Sequence, residues 1–151
     1  MILRIRFDSE TSILLVLDRT PRDLLLATYE GGIIVAKLIK TGDLEWSPSK
    51  VVGIAAKDLV QFPEGTAKLI RLVAGAAYPK HQHPDRTEYA YVLSGKAVLT
   101  VGDEEFEANG GDFLTFPTDT PHALANRSEE EVLLFVGAIY HEGKGNHSKQ
   151  L

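Results

Sequence analysis

Two histidines one residue apart, His81 and His83, stand in the stretch YPKHQHPDRTEYAYVLSG, and Glu88 follows five residues after the second. In an extended strand, residues i and i+2 point to the same face, so both imidazoles can aim at one point. A turn through residues 84–86 could return the Glu88 carboxylate to that point. His122, in FPTDTPHALAN, begins a later predicted strand and is the fourth candidate. Three neutral imidazoles and one carboxylate suit a divalent metal ion and leave positions open in a six-coordinate site.

Two prolines bracket the histidine pair. Pro79 and Pro84 each push the preceding residue towards extended geometry. Because proline cannot donate a backbone hydrogen bond, it is disfavoured in a central strand. The segment is therefore predicted to be a sheet edge, a bulge or a strand entrance, which suits residues at the mouth of a cavity.

The spacing of these residues resembles the first motif of the cupin family, G-x5-H-x-H-x3,4-E-x6-G. Its five fixed positions are filled here by Gly75, His81, His83, Glu88 and Gly95. Since histidine is scarce in this chain, with 5 in 151 residues, chance is a poor explanation for the match.

A second stretch resembles the second cupin motif, G-x5-P-x-G-x2-H-x3-N. Gly111, Pro117, His122 and Asn126 match it, and Asp119 stands where the motif has its second glycine. Aspartate tolerates left-handed backbone better than most residues, so this departure concerns a turn and leaves the ligand set intact. Asn126 is expected to close a strand or turn rather than to bind metal.

The resemblance covers roughly residues 50–140 and implies an all-β fold, a jelly-roll or double-stranded β-helix barrel of the small single-domain cupin type. It further implies that His81, His83, Glu88 and His122 hold one divalent metal ion per chain. Iron, zinc, manganese and nickel all remain open. A weaker likeness, carried by EWSPSKVVGIAAKDL and AKLIRLVAGAAYPKHQH, is to the cupin half of certain anti-sigma factors.

Composition narrows the classes of protein. The 151 residues suit one domain, and 44% apolar and 25% charged residues are typical of a soluble globular protein. With no cysteine, disulfides and thiolate metal sites are excluded. A net charge of −5 argues against nucleic acid as a partner. We expect no signal peptide, no membrane association and a cytoplasmic location.

Short β-type runs broken by turn residues follow one another from Thr66 onward, which is typical of an all-β sandwich or barrel. We therefore assign residues 46–140 to the barrel, residues 1–45 to an N-terminal extension and residues 141–151 to a flexible tail. In the extension, SILLVL is predicted to be a strand. TPRDLLLATYEGG fits a helix that starts at Thr20 or the first half of a hairpin with IIVAKLI, and the helix is favoured.

Strand alternation also places other side chains. Tyr89 and Tyr91 are expected to point outward if Glu88 points inward. Phe113 and Phe116 are expected on opposite faces, and Arg71 is expected to face solvent. The two remaining histidines, His141 and His147, are expected to be solvated. Without metal, burial is expected to raise the pKa of Glu88.

These features favour a metal-dependent enzyme that acts on a small metabolite, a dioxygenase first of all, in which the metal acts as Lewis acid, template and redox centre. A metal-dependent isomerase or lyase is one alternative. A non-catalytic metal-dependent sensor or small-ligand-binding module is the other. The expected partners are a small-molecule substrate or ligand and a second copy of the chain in a homodimer, because small jelly rolls leave sheet edges.

Overall fold

The structure is a computed structural model that describes residues 2–7, 11–16, 24–29, 32–141 and 149–150, with side chains from 38 to 141. The chain forms two compact units, residues 1–40 and residues 41–151. Within the described ranges, no helix has the length and apolar character needed to cross a membrane.

The first unit consists of two antiparallel hairpins. Its strands are β1 (Ile2–Phe7), β2 (Thr11–Val16), β3 (Leu24–Tyr29) and β4 (Gly32–Lys37). Strand β1 pairs with β2, as expected for SILLVL, and β3 pairs with β4.

The helix favoured for the segment after Thr20 was wrong, because residues 24–29 form a strand. Two apolar runs of six residues each pair in register from Leu24 with Lys37 to Tyr29 with Gly32. The β-branched residues of the second run, residues 33–35, favour a strand and offer the first run a partner. The proposed helix start at Thr20 lies outside the described residues.

The second unit begins with a short 3-10 turn, Thr41–Asp43, and every later element in its described residues is a strand. These are β5 (Ser47–Pro48), β6 (Ile54–Phe62), β7 (Gly65–Leu72), β8 (Ala77–Gln82), β9 (Arg86–Ser94), β10 (Lys96–Val101), β11 (Glu104–Asn109), β12 (Phe113–Phe116), β13 (His122–Ala125), β14 (Val132–Tyr140) and β15 (Lys149–Gln150).

These strands form two antiparallel sheets. One has the order β11-β10-β13-β8-β15 and the other the order β12-β9-β14-β7-β6-β5. Their inner faces enclose the core, whose largest fully buried apolar side chains are Phe116, Leu72, Leu99, Leu134, Val92 and Val132. The predicted all-β fold class is confirmed.

Short strands follow one another from Thr66 onward, as predicted, but β6, which precedes them, was missed. Its sequence IAAKDLVQF carries charged residues at its centre, which hides the strand pattern. Lys57 is nevertheless buried, and its Nζ donates a 2.7 Å hydrogen bond to the Thr41 carbonyl. The long aliphatic stem of lysine allows this burial while the ammonium group keeps a partner.

Strand β8 carries a bulge at its proline. His81 pairs with His122 and Tyr78 pairs with Leu124, so three steps along β8 match two steps along β13. Pro79 lies in this interval, where a missing N–H costs no regular ladder bond. Of the three alternatives predicted for the histidine segment, a sheet edge, a bulge or a strand entrance, the bulge is present.

The motif residues Gly95 and Asn126 hold the corners of the barrel. Gly95 alone connects β9 of one sheet to β10 of the other, with φ of 80°. A Cβ there would lie 2.6 Å from the carbonyl oxygen of Glu131, so glycine is required. Asn126 is buried, donates to the carbonyls of Leu72 and Glu130, and accepts from Ser128. As expected, it closes a turn.

Candidate metal centre

The four predicted ligands converge on one point. One potential ligand atom from each of His81, His83, Glu88 and His122 lies within 4.8 Å of the other three. The three imidazoles are buried, and the Glu88 side chain is 17% exposed. Strand pairing creates this geometry, since His81 and His122 are direct partners on β8 and β13 and Glu88 comes from β9 of the other sheet.

Backbone carbonyls orient two of the imidazoles. His81 Nδ1 lies 2.9 Å from the Pro79 carbonyl oxygen, and His122 Nδ1 lies 2.9 Å from the Thr120 carbonyl oxygen. A carbonyl can only accept, so each Nδ1 carries the proton and each Nε2 presents a lone pair. Such outer hydrogen bonds fix the tautomer that a metal ligand needs. The sequence did not reveal these acceptors.

The Glu88 carboxylate lies close to ring nitrogens of His83 and His122. Its Oε1 is 3.3 Å from His83 Nε2, and its Oε2 is 3.5 Å from His122 Nε2. Burial alone would raise the pKa of Glu88, but the imidazoles of His122 and His83 outweigh burial and hold the pKa well below its ordinary value. The expected rise was therefore wrong in sign, since it considered burial without these neighbours.

Burial also acts on His81. Desolvation lowers the pKa of His81, against the hydrogen bond to Pro79 and with help from the neighbouring His122 and His83. The neutral imidazole, which is the form that binds metal, is therefore favoured in the folded protein.

A buried nitrogen without a hydrogen-bond partner supports the fit of a metal ion. Within the described part of the chain, His122 Nε2 and His83 Nδ1 have no hydrogen-bond partner. A buried polar atom without a partner costs free energy. For His122 Nε2, whose lone pair faces the other three ligands, a bound cation would remove that cost. The donor set, three imidazoles and one carboxylate, suits a divalent transition metal.

The cluster lies in the wall of a cavity of about 260 Å³. The lining residues are Lys68, Ile70, Tyr78, His81, His83, Arg86, Glu88, Phe116, His122, Leu124 and Val136. The ligand cluster, two cationic side chains and Tyr78 form the polar part of the lining, and Ile70, Phe116, Leu124 and Val136 form its apolar part. The partial exposure of Glu88 means that solvent reaches it.

Three polar lining residues, Lys68, Arg86 and Tyr78, were not predicted. For Lys68, the signal was alternation along β7, because the buried Leu72 and the lining Ile70 share its face. Arg71 points the other way, as expected, and stacks on Trp46 at 4.6 Å.

The aromatic residues divide between the two faces of the sheet as predicted. Phe116 is buried and stacks on the His122 ring at a centroid distance of 4.7 Å. Phe113 is exposed on the opposite face and stacks on Tyr89 at 5.7 Å. His141 is exposed, and its Nε2 lies 3.0 Å from Thr87 Oγ1. His147 lies outside the described residues.

Comparison with known proteins identifies the barrel. Residues 68–137 match the family model described as the cupin domain. The protein therefore contains a cupin domain, and its two-sheet barrel has the fold of that family.

Three curated relatives match parts of the chain. An uncharacterized protein of Methanocaldococcus jannaschii is 37% identical over 46 residues, which are 30% of this chain and 37% of that protein. Quercetin 2,3-dioxygenase of Bacillus subtilis is 37% identical over 60 residues, 40% of this chain and 18% of that protein. Oxalate decarboxylase of Arthroderma benhamiae is 34% identical over 73 residues, 45% of this chain and 17% of that protein. The matches thus span little more than a third of any relative's length.

Solved structures share the fold. A predicted oxalate decarboxylase of Thermotoga maritima superposes with a TM-score of 0.65 at 15% identity, over 69% of this chain and 99% of that chain. An RmlC-like cupin of Shewanella frigidimarina gives a TM-score of 0.59 at 19% identity, over 68% of this chain and 88% of that chain. At these identities the likeness is one of fold alone.

Proposed function

We propose that the cupin domain is a metal-dependent enzyme that acts on a small metabolite, with a dioxygenase as the first candidate. The observation that carries this proposal is the placement of the four converging side chains in the wall of the 260 Å³ cavity. A purely structural metal site closes its coordination sphere with protein ligands, whereas a catalytic site keeps an open position beside a cavity.

His81, His83, Glu88 and His122 would hold one divalent ion per chain. Such an ion supplies Lewis acidity, a template for substrate and, if it is iron, redox chemistry with dioxygen. The protein supplies two imidazoles held by backbone carbonyls, an ionised Glu88 and four apolar side chains in the cavity wall. The bacterial relative named quercetin 2,3-dioxygenase supports oxygen chemistry as the first candidate.

A lyase, in particular a decarboxylase, is the second candidate. Lys68 and Arg86 in the cavity lining are the side chains expected where a substrate carries a carboxylate. The fungal relative named oxalate decarboxylase points in the same direction.

Elemental analysis of protein purified without chelators or a histidine tag tests the proposal. We expect about one iron, manganese, zinc or nickel ion per chain. Oxygen uptake is then measured with a panel of diketones, catechols and hydroxy acids. Substrate-dependent uptake supports the dioxygenase, and carbon dioxide release without oxygen uptake supports the lyase. Tight zinc with neither activity would favour a non-catalytic sensor, and failure to bind any of the four metals would refute the metal site.

We also propose a homodimer in the cytoplasm. Exposed apolar side chains on the outer face of the six-stranded sheet support self-association, among them Tyr91, Leu93, Phe113 and Ile139. Strand β12 at the end of that sheet offers an edge for pairing with a second copy. Sedimentation at high protein concentration tests this, and a monomer throughout would argue against it.

A further inference from the structure

We propose that the substrate carries a carboxylate, and that Lys68 binds this group while the metal-binding residues hold the other end of the molecule. The inference rests on the proposed function, since it names the substrate class of that same site. It follows from the position of Lys68, the charges around the cavity and the distance across the sheet.

Lys68 projects from β7 into the cavity. It shares the inner face of that strand with Ile70, which also lines the cavity, and with Leu72, which is fully buried. The Lys68 side chain is half-buried and makes no hydrogen bond or ion pair with any residue that the structure describes. A half-buried ammonium group with no partner is a place where an anion gains from binding.

Apart from Glu88, whose carboxylate belongs to the metal cluster, the charged groups near Lys68 do not offset its charge. Arg86 also lines the cavity, but its Nε lies 3.1 Å from Oδ1 of the buried Asp85, and its Nη1 donates to the Tyr140 hydroxyl at 3.2 Å. Asp58 lies opposite Lys68 in the strand register, yet it is exposed and forms no ion pair with Lys68. With Arg86 matched by Asp85, the positive charge of Lys68 is left for a ligand.

The separation of the strands that carry Lys68 and Glu88 suits a ligand with two different ends. Strand β14 lies between β7, which carries Lys68, and β9, which carries Glu88. Two strand spacings are about 10 Å, which leaves room for a small molecule to reach from one strand to the other. The cavity lining also includes Ile70, Val136 and Leu124, which suit the apolar body of a ring-sized metabolite.

A matched pair of probes tests whether Lys68 binds the carboxylate while the metal-binding residues hold the other end of the molecule. Catechol and 3,4-dihydroxybenzoate share the same metal-chelating diol, and only the second carries a carboxylate at the far side of the ring. Both are titrated calorimetrically, without oxygen, into zinc-loaded wild-type protein and into zinc-loaded Lys68→Met. Lys96→Met is the matched control, because it removes a lysine whose Nζ pairs with Glu107 outside this cavity.

We expect wild type to bind 3,4-dihydroxybenzoate at least about tenfold more tightly than catechol, since a charge-assisted hydrogen bond contributes that much. In Lys68→Met the ratio of the two affinities should fall to about one, with the affinity for catechol unchanged. Lys96→Met should behave like wild type. An undiminished preference in Lys68→Met, or equal affinities in wild type, overturns the role of Lys68 and leaves the metal site standing. If neither probe binds the zinc-loaded protein, the proposed function itself fails.

Discussion

His81 and His122 face each other across two antiparallel strands, with ring centroids 4.4 Å apart. Each ring is held by the carbonyl oxygen two residues earlier in the chain, Pro79 for one and Thr120 for the other. Strand register and local backbone therefore bring the two rings together and supply the hydrogen bonds that orient them.

Removing either of these imidazoles should abolish metal binding. We expect His81→Ala and His122→Ala to retain less than about a tenth of the wild-type metal content, because three ligands hold a divalent ion much more weakly than four. Elemental analysis measures this. His141→Ala is the control, since His141 is exposed and outside the cluster. Wild-type metal content in either variant would contradict the ligand assignment.

Neutralising Glu88 should weaken the metal site without disturbing its shape. Glu88→Gln keeps the size of the side chain but removes the only carboxylate of the cluster. The apparent dissociation constant should rise at least about 100-fold, as expected for loss of a charged ligand. Competition with a chelating dye measures it. Glu129→Gln, at an exposed position in a turn, should leave the constant unchanged.

Acid should destabilise the metal-free protein. Desolvation lowers the pKa of His81 in the folded state, so the unfolded chain takes up a proton near pH 6.5 that the folded chain does not. The pKa of Glu88 is also depressed, which acts in the same direction at lower pH. These two groups therefore contribute to the free energy of unfolding above about pH 6.5, and their contribution is lost as the pH falls below that value.

Thermal unfolding of chelator-treated protein checks this sign. The melting temperature should be lower at pH 5 than at pH 7.5, and the difference should shrink in His81→Gln but not in His141→Gln. A melting temperature that rises as the pH falls would contradict the prediction.

Asp119 should be the point where the turn before His122 is most sensitive to the choice of residue. It has φ of 57°, in the left-handed region, and its N–H donates to the His83 carbonyl. Alanine is strained there, so Asp119→Ala should lower the free energy of unfolding by about 1 kcal/mol. Asp119→Gly should lower it less, because glycine adopts this φ freely. Urea unfolding measures both, and the reverse order would be inconsistent with this account.

Loss of Asn126 should cost more than loss of its partner. Its amide donates to two carbonyls, and its oxygen accepts two hydrogen bonds from Ser128. Asn126→Ala leaves buried carbonyls unpaired and should lower the free energy of unfolding by about 2–4 kcal/mol. Ser128→Ala, which removes only the hydroxyl, should cost about 1 kcal/mol or less. Urea unfolding compares the two, and equal losses would argue that Asn126 is not the centre of this turn.

The sequence was informative where the structure depends on local geometry. Alternation along a strand was enough to place His81 beside His83 on one face and to send Phe113 and Phe116 to opposite faces. It could not indicate that the inner face of β7 lines a cavity at Lys68 rather than packed core, because that depends on pairing with β14, which is distant in sequence. Lys68 was missed for this reason. The hairpin of β3 and β4 was predicted wrongly because runs of leucine are compatible with both helix and strand. Pairing with β4 stabilises the strand conformation of residues 24–29.

The position of Trp46 has a practical meaning for spectroscopy. It is the only tryptophan in the chain, and its ring contacts the Lys57 ammonium at 4.8 Å and the Arg71 guanidinium at 4.6 Å. It is absent from the lining of the cavity. Tryptophan fluorescence will therefore report whether the segment before β6 stays packed against the six-stranded sheet. Tryptophan fluorescence will respond little to small molecules that enter the barrel. Tyr78 lies edge-on to His81 at 4.9 Å, so its fluorescence is the better probe for them.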